Sequence, residues 1–340
     1  MSRTGVLLVN LGTPASPSVR DVRRYLREFL GDPYVIDLPA PARWLLLNAV
    51  ILPTRPRASA VAYQKVWTPE GSPLLVHGRA LCSAVSDALG GDFAVELAMR
   101  YGEPAIDGAV ARLAAAGVCR WVVVPLFPQY STAATRSAID AVERALAKRR
   151  DAPVDVVRDF FADPGFVAAW ETVARPRLDA FRPEHVLFSF HGLPERQLRA
   201  SGAHCLASPG CCDAVGEVNR SCYRAQCLAT ARALARALAL GPEDHSVSFQ
   251  SRLGRTRWIQ PYTDQLLPEL AARGVKRLAV LCPSFVADCL ETLEEIAIRG
   301  RQQWLEIGGE ALELVPSLNT DPAWVDALAH LVRCRADRLT

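Results

Sequence analysis

The chain has 340 residues, 50% of them apolar and 22% charged, which is ordinary for a soluble protein large enough to hold two packed lobes. Its net charge is only +3, which argues against a nucleic-acid binder that works by neutralising phosphates. The N-terminal apolar run is too short for a signal-peptide core, and no stretch reaches the roughly 18 apolar residues needed to cross a bilayer, so a cytoplasmic location is expected. In that compartment ten cysteines point to thiols or metal ligands rather than a disulfide framework.

In chain order, residues 6–9 (Val-Leu-Leu-Val) read as a strand buried on both faces. Residues 18–30 carry a helical apolar stripe at Val19, Val22, Leu26 and Leu30. Residues 35–52 concentrate Leu38, Trp44, Leu45, Leu46, Leu47, Val50, Ile51 and Leu52 between prolines. Taken alone, that segment reads as a buried helix. Buried strands follow at 121–124, 186–190 and 277–281, with an Ala/Leu-rich helix at 225–240 that stops at Gly241-Pro242. Strand alternating with helix predicts an α/β fold of parallel sheets.

The chain also repeats itself weakly. Residues 5–14 align with 184–194, and 117–125 with 274–282, in the same order. The expectation is two similar Rossmann-like lobes with four-stranded parallel sheets, residues 1–165 and 166–340, with the ligand in a cleft between them. No G-x-G-x-x-G or P-loop follows any strand, so nucleotide binding is not supported.

Two residues stand at the ends of predicted buried strands, where open α/β folds place their chemistry: His191 in Phe190-His191-Gly192-Leu193-Pro194, and Glu291 in the segment 283–295. An imidazole and a carboxylate together can hold a divalent metal and accept protons near neutral pH. Each also has a plainer reading, His191 as a hydrogen-bonded structural residue and Glu291 as a solvated first-turn helix residue. That plainer reading is the one expected for Glu294 and Glu295. His77, His185, His204, His245 and His330 lack a motif and read as structural.

The chain resembles the ferrochelatase family. The resemblance is carried by residues 7–14 (Leu-Leu-Val-Asn-Leu-Gly-Thr-Pro), Gly71-Ser72-Pro73, Arg100-Tyr101-Gly102, Phe127-Pro128-Gln129-Tyr130-Ser131, the His191 motif, Phe249-Gln250-Ser251-Arg252 with Trp258, and 283–295. It runs from about residue 5 to residue 330. It implies a type II chelatase-like fold and a lyase that inserts ferrous iron into protoporphyrin IX, releasing two protons, in the last step of heme biosynthesis. It implies His191 as proton acceptor and metal ligand, Glu291 facing it across the macrocycle, and Tyr130, Arg100, Trp258 and Ser131 as porphyrin contacts. Cys289 stands where many members have His, so a proton relay through that position is in doubt. The apolar segment 35–67 corresponds to a lip at the pocket mouth, which implies peripheral contact with a membrane surface, with Arg55 and Arg57 facing anionic headgroups.

Cys205, Cys211, Cys212, Cys222 and Cys227 fall within 23 residues, in an insertion at 202–227. Four thiolates on one loop suit zinc or an iron–sulfur cluster, and the spacing matches no common zinc ribbon. Some members of the resembling family carry a [2Fe–2S] cluster in such an insertion. This implies a structural [2Fe–2S] cluster on Cys205, Cys212, Cys222 and Cys227, with Cys211 competing for the place of Cys212. Cys82, Cys119, Cys282 and Cys334 read as small core residues. The expected partners are a porphyrin and ferrous iron, and the expected state is a monomer or weak homodimer. Two alternatives stay open: insertion of cobalt or nickel into another tetrapyrrole, and a non-catalytic iron–sulfur sensor with two lobes.

Overall fold

The computed structural model describes residues 3–147, 152–202, 204–208, 210–254 and 256–339. Residues 203 and 209, inside the cysteine insertion, lie outside this set. Among the described residues two four-stranded sheets are present. The first comprises β1 (Arg3–Gly12), β2 (Phe93–Tyr101), β3 (Val118–Pro125) and β4 (Val154–Val156), in the order β2-β1-β3-β4. The second comprises β5 (His185–His191), β6 (His245–Gln250), β7 (Arg277–Leu281) and β8 (Ala311–Leu314), in the order β6-β5-β7-β8. Every pairing is parallel. This is the two-sheet α/β fold expected from the sequence.

The sequence repeat coincides with this topology. The segments that align are β1 with β5 and β3 with β7, the two central strands of each sheet. These strands read most clearly because a parallel strand covered by helices on both faces is apolar throughout. Val6, Leu7, Leu8 and Val9 of β1 are fully buried, as are Leu187, Phe188 and Phe190 of β5.

The contacts divide the chain into two units, residues 1–127 with 131–159 and 325–340, and residues 128–130 with 160–324. The second unit therefore starts six residues before the expected boundary, and the C-terminal segment from Val325 returns to the first. In the first unit Leu7, Val9, Val110, Trp121, Val123 and Val142 form a core cluster on the sheet. In the second, Leu187, Leu270, Leu278, Val280, Ile296 and Trp304 do the same. At about 1.5–3 kcal/mol for each large apolar side chain removed from water, these clusters outweigh any exposed ion pair in either unit.

The helix expected at 18–30 is Val19–Gly31, capped by Ser18, whose hydroxyl accepts from the Asp21 N–H at 3.2 Å. Val22 and Leu30 of its stripe are buried, whereas Val19 is exposed. The helix expected at 225–240 is Tyr223–Ala237, and it ends early because Ala239 adopts a left-handed conformation with φ of 57°.

The apolar segment after residue 35 folds as Ala40–Leu45, a π-helical turn Leu46–Ile51 and the helix Leu52–Val66. Leu47 and Leu52 pack against Leu30, but Trp44, Leu45 and Val50 are 66%, 59% and 53% exposed. Burial thus covers one face only, which corrects the reading of a wholly buried helix. Among the described residues no helix is long and apolar enough to cross a membrane. The reading of the remaining cysteines as core residues holds for Cys282 alone. Cys82 is half-buried, and Cys119, near the start of β3, and Cys334, on the last helix, are exposed.

Candidate functional site

His191 is the last residue of β5, and its backbone is held from both sides. Its N–H donates to Ser284 Oγ at 3.3 Å, and its carbonyl accepts from the Tyr223 hydroxyl at 2.8 Å. The ring nitrogen Nδ1 lies 2.6 Å from the Gly192 carbonyl oxygen. A carbonyl can only accept, so Nδ1 carries the proton and the Nε2 lone pair is left for chemistry. The ring is flanked by Trp258 and Phe285, with centroids at 6.4 and 6.2 Å. Gly192 is required next to it. Its N–H donates to the Gln250 carbonyl at 2.8 Å, and a Cβ there would come within 2.8 Å of that same oxygen and 3.2 Å of the Trp258 ring.

Glu291 lies in the first turn of the short helix Leu290–Thr292, which begins at Cys289 and continues into the π-helix Leu293–Gly300. The approach to it is fixed by Asp288, which is 6% exposed. The Asp288 carboxylate accepts from the Thr292 hydroxyl at 3.0 Å, the Ser317 N–H at 3.2 Å and the Asn319 amide at 2.8 Å. Asn319 returns the contact by accepting from the Asp288 N–H at 2.8 Å. The Cys289 thiol beside Glu291 is buried. Burial first, and the Glu291 carboxylate second, hold its pKa well above the usual thiol range.

Gln250, at the end of β6, joins the two segments. Its side-chain oxygen accepts from the Ser189 hydroxyl at 2.7 Å and faces the Cys282 thiol at 3.5 Å. Its amide donates to the Glu291 carbonyl at 2.9 Å. The next residue, Ser251, donates its N–H to Glu295 at 2.8 Å and its hydroxyl to the same carboxylate at 2.5 Å. Glu294 is buried and ion-paired with Arg299 at 2.8 Å. Glu294 and Glu295 are therefore not the solvated helix residues expected from the sequence.

The structure brings His191, Glu291, Trp258 and Tyr130 into one unit. Tyr130 is there because Gln129 donates to Thr230 Oγ1 at 3.0 Å and to the Pro283 carbonyl at 3.3 Å, while the Tyr130 N–H donates to Gln226 Oε1 at 2.6 Å. Arg100 and Ser131 belong to the other unit. The Arg100 guanidinium is held by the Asp32 carboxylate and by Ser137 Oγ at 2.7 Å, and Asp32 also accepts from the Tyr101 hydroxyl at 2.8 Å. Its charge is paired inside its own unit. Ser131 caps the turn that follows it, accepting from the Ala134 N–H at 3.1 Å.

The cysteine segment is a chain of turns clasped by Asn219. Its amide donates to the carbonyls of Cys211 at 3.0 Å and Ala214 at 2.8 Å, and its oxygen accepts from the Gly216 N–H at 2.7 Å. Cys205, Cys212, Cys222 and Cys227 are buried, and Cys211 is half-buried. The Cys222 thiol is in hydrogen-bonding reach of both Cys205 and Cys212, and the Cys211 and Cys212 sulfurs are 3.6 Å apart. Hydrogen bonding from Cys212 lowers the Cys222 pKa against the burial that raises it, while burial pushes Cys205 and Cys227 up. Among the described residues no three His, Cys, Asp or Glu side chains gather around one point as a ready site for a single ion.

The site residues that sequence reasoning missed are Gln250 as a brace, Asp288 with Asn319, and Tyr223 with Ser284. One signal was available: Gln226 and Thr230 are polar residues four apart in an otherwise Ala/Leu-rich helix, and both are fully buried.

A sequence model of the ferrochelatase family matches residues 3–336. A protein named ferrochelatase from Azotobacter vinelandii is 52% identical over 338 residues, covering 98% of this chain and 99% of that one. Another from Coxiella burnetii is 50% identical over 335 residues, covering 98% and 94%. A third from Legionella pneumophila is 46% identical over 332 residues, covering 97% and 98%. Among solved structures, SirB from Bacillus subtilis with Fe3+ superimposes with a TM-score of 0.57 at 14% identity, covering 98% and 96%. CbiX, described as the terminal enzyme for biosynthesis of siroheme in denitrifying bacteria, gives 0.51 at 14%, covering 97% and 98%. These two show the type II chelatase fold.

Replacing Asp288 with Ala strands the Ser317 N–H, the Asn319 amide and the Thr292 hydroxyl in a buried site. The expected cost is about 2–4 kcal/mol in denaturant unfolding, and a loss under about 0.5 kcal/mol would show that the clamp does not hold this loop.

Proposed function

The chain belongs to the ferrochelatase family, and we propose that His191 and Glu291 carry out its reaction, the insertion of Fe2+ into protoporphyrin IX as a lyase with release of two protons. The observation that carries this reading is the His191 tautomer. With Nδ1–H committed to the Gly192 carbonyl, Nε2 is the basic atom, at the C-terminal end of a central strand.

Metallation requires that the macrocycle lose two pyrrole protons, that iron shed water and that the ring pucker. His191 Nε2 takes a proton from the ring. Glu291 supplies an anionic oxygen that suits ferrous iron and can take a proton in turn. Cys289 is buried with its thiol pKa held up, so it stays a protonated thiol, a weaker proton acceptor than the imidazole many members carry there, and the proposed proton path does not run through it. Trp258, beside His191, and Tyr130 are the porphyrin contacts we retain from the sequence reading, holding the ring bent with binding energy from its periphery. Relatives of about half identity that bear the ferrochelatase name favour iron over cobalt or nickel, and favour an enzyme over a sensor.

The cysteine segment suits a [2Fe–2S] cluster. Such a cluster takes thiolates on two irons rather than four donors around one ion, and the buried Cys222 thiol lies within hydrogen-bonding reach of both Cys205 and Cys212. Cys205, Cys212, Cys222 and Cys227 would hold it, with Cys211 adjacent to Cys212. It would supply a cross-link for the segment, since iron insertion moves no electrons. The exposed Trp44, Leu45 and Val50 supply an apolar surface for peripheral contact with a membrane, from a protein otherwise in the cytoplasm.

His191→Ala is expected to lower Fe2+ insertion by at least about a hundredfold while porphyrin binding, read by fluorescence quenching, stays near wild type. Near wild-type turnover would remove His191 as the base. Glu291→Gln is expected to be severely impaired as well, and a raised iron KM with unchanged kcat would confine Glu291 to metal delivery. Purified, iron-replete protein is expected to absorb in the visible, and colourless protein would exclude the cluster. The wild type is expected to float with anionic liposomes and Trp44→Glu to float less. Recovery of all wild-type protein in the soluble fraction would refute the membrane contact.

A further inference from the structure

We propose that Tyr223 is a positioning residue for His191, and that presenting its hydroxyl is what the cysteine segment contributes to the reaction. The inference rests on the reading of His191 as the base. Tyr223 has one hydroxyl proton, and it goes to the His191 carbonyl at 2.8 Å. The Ser284 hydroxyl, 3.1 Å from the Tyr223 oxygen, must then donate to it, and the same Ser284 oxygen accepts from the His191 N–H at 3.3 Å. Three hydrogen bonds thus close a ring through both backbone polar groups of His191. Both groups lie at the end of β5, where pairing with β6 still reaches Gln250 but pairing with β7 has already stopped at Phe188, so on that side the ring takes the place of the missing strand bonds.

The tyrosine belongs to the cysteine segment by sequence and by contact. It follows Cys222, whose N–H donates to the Asn219 carbonyl at 2.8 Å. Its hydroxyl is also within hydrogen-bonding reach of the Cys227 thiol, one turn further along the helix. The phenol is 7% exposed and its hydroxyl lies inside the unit, so its polar atom serves only these neighbours. A small displacement of the His191 backbone moves Nε2 by a comparable amount, and misplacing a reacting group by about 1 Å can cost about a hundredfold in rate.

The test is Tyr223→Phe, which removes one oxygen and keeps the ring. The expected result is a kcat for Fe2+ insertion about tenfold lower with the porphyrin KM unchanged and the fold retained, at the modest fall in melting temperature that one lost buried hydrogen bond brings. Ser284→Ala should give a similar loss, and the double variant should lose no more than about the larger single loss, because either change opens the same ring. The second variant keeps the test alive if the first folds poorly. Wild-type kcat in Tyr223→Phe, a loss seen only as raised porphyrin KM, or fully additive losses would overturn the inference. Activity in His191→Ala would instead overturn the reading on which it rests, so the two failures are distinguishable.

Discussion

The site depends on one buried amide. Gln250 ends β6, and its side chain and carbonyl touch every segment that matters: Ser189 within β5, Cys282 just after β7, Gly192 after His191, and the Glu291 carbonyl. It is 2% exposed, so each of its polar atoms must find a partner inside the protein. Leaving one unpaired would cost about 1–3 kcal/mol, a large part of a typical stability margin. The loop after β5 and the turn after β7 therefore cannot shift independently, and His191 and Glu291 share one frame.

Around that amide the same device recurs. Asp288 and Asn319 exchange hydrogen bonds to set the turn before Glu291, and Tyr223 and Ser284 close a ring on the His191 backbone. Each brace is polar, pairs a buried residue (Asp288, Tyr223) with a half-buried one (Asn319, Ser284), and has its hydrogen bonds made. An apolar core of the same volume would be as stable, but it would not fix directions. Directional hydrogen bonds fix orientation as well as position, which is what a reacting group needs.

The sequence made the central strands and the repeat legible because parallel strands buried on both faces carry no polar interruptions. It also placed His191 and Glu291, since both follow such strands. The edge strand β6, His-Ser-Val-Ser-Phe-Gln, was opaque. Its serines look solvated, yet Ser248 is fully buried and bonds Thr263 at 2.8 Å. Asp288 and Asn319 are 31 residues apart, and no local pattern announces their pairing. The ion pair of Arg100 with Asp32 was not legible because the two lie 68 residues apart. Cys119 and Cys334 were misjudged because neighbouring apolar residues say nothing about which face a strand or helix turns outward.

The central claim is that a strand-end imidazole and a helix-start carboxylate act on the same macrocycle. A crystal structure with a porphyrin bent by a single N-methyl group tests it most directly, since such a ring mimics the distorted state. The account predicts His191 Nε2 and the Glu291 carboxylate on opposite faces of the ring, each within about 5 Å of its nitrogens or one water away. A macrocycle bound with either group turned away from it would contradict the account.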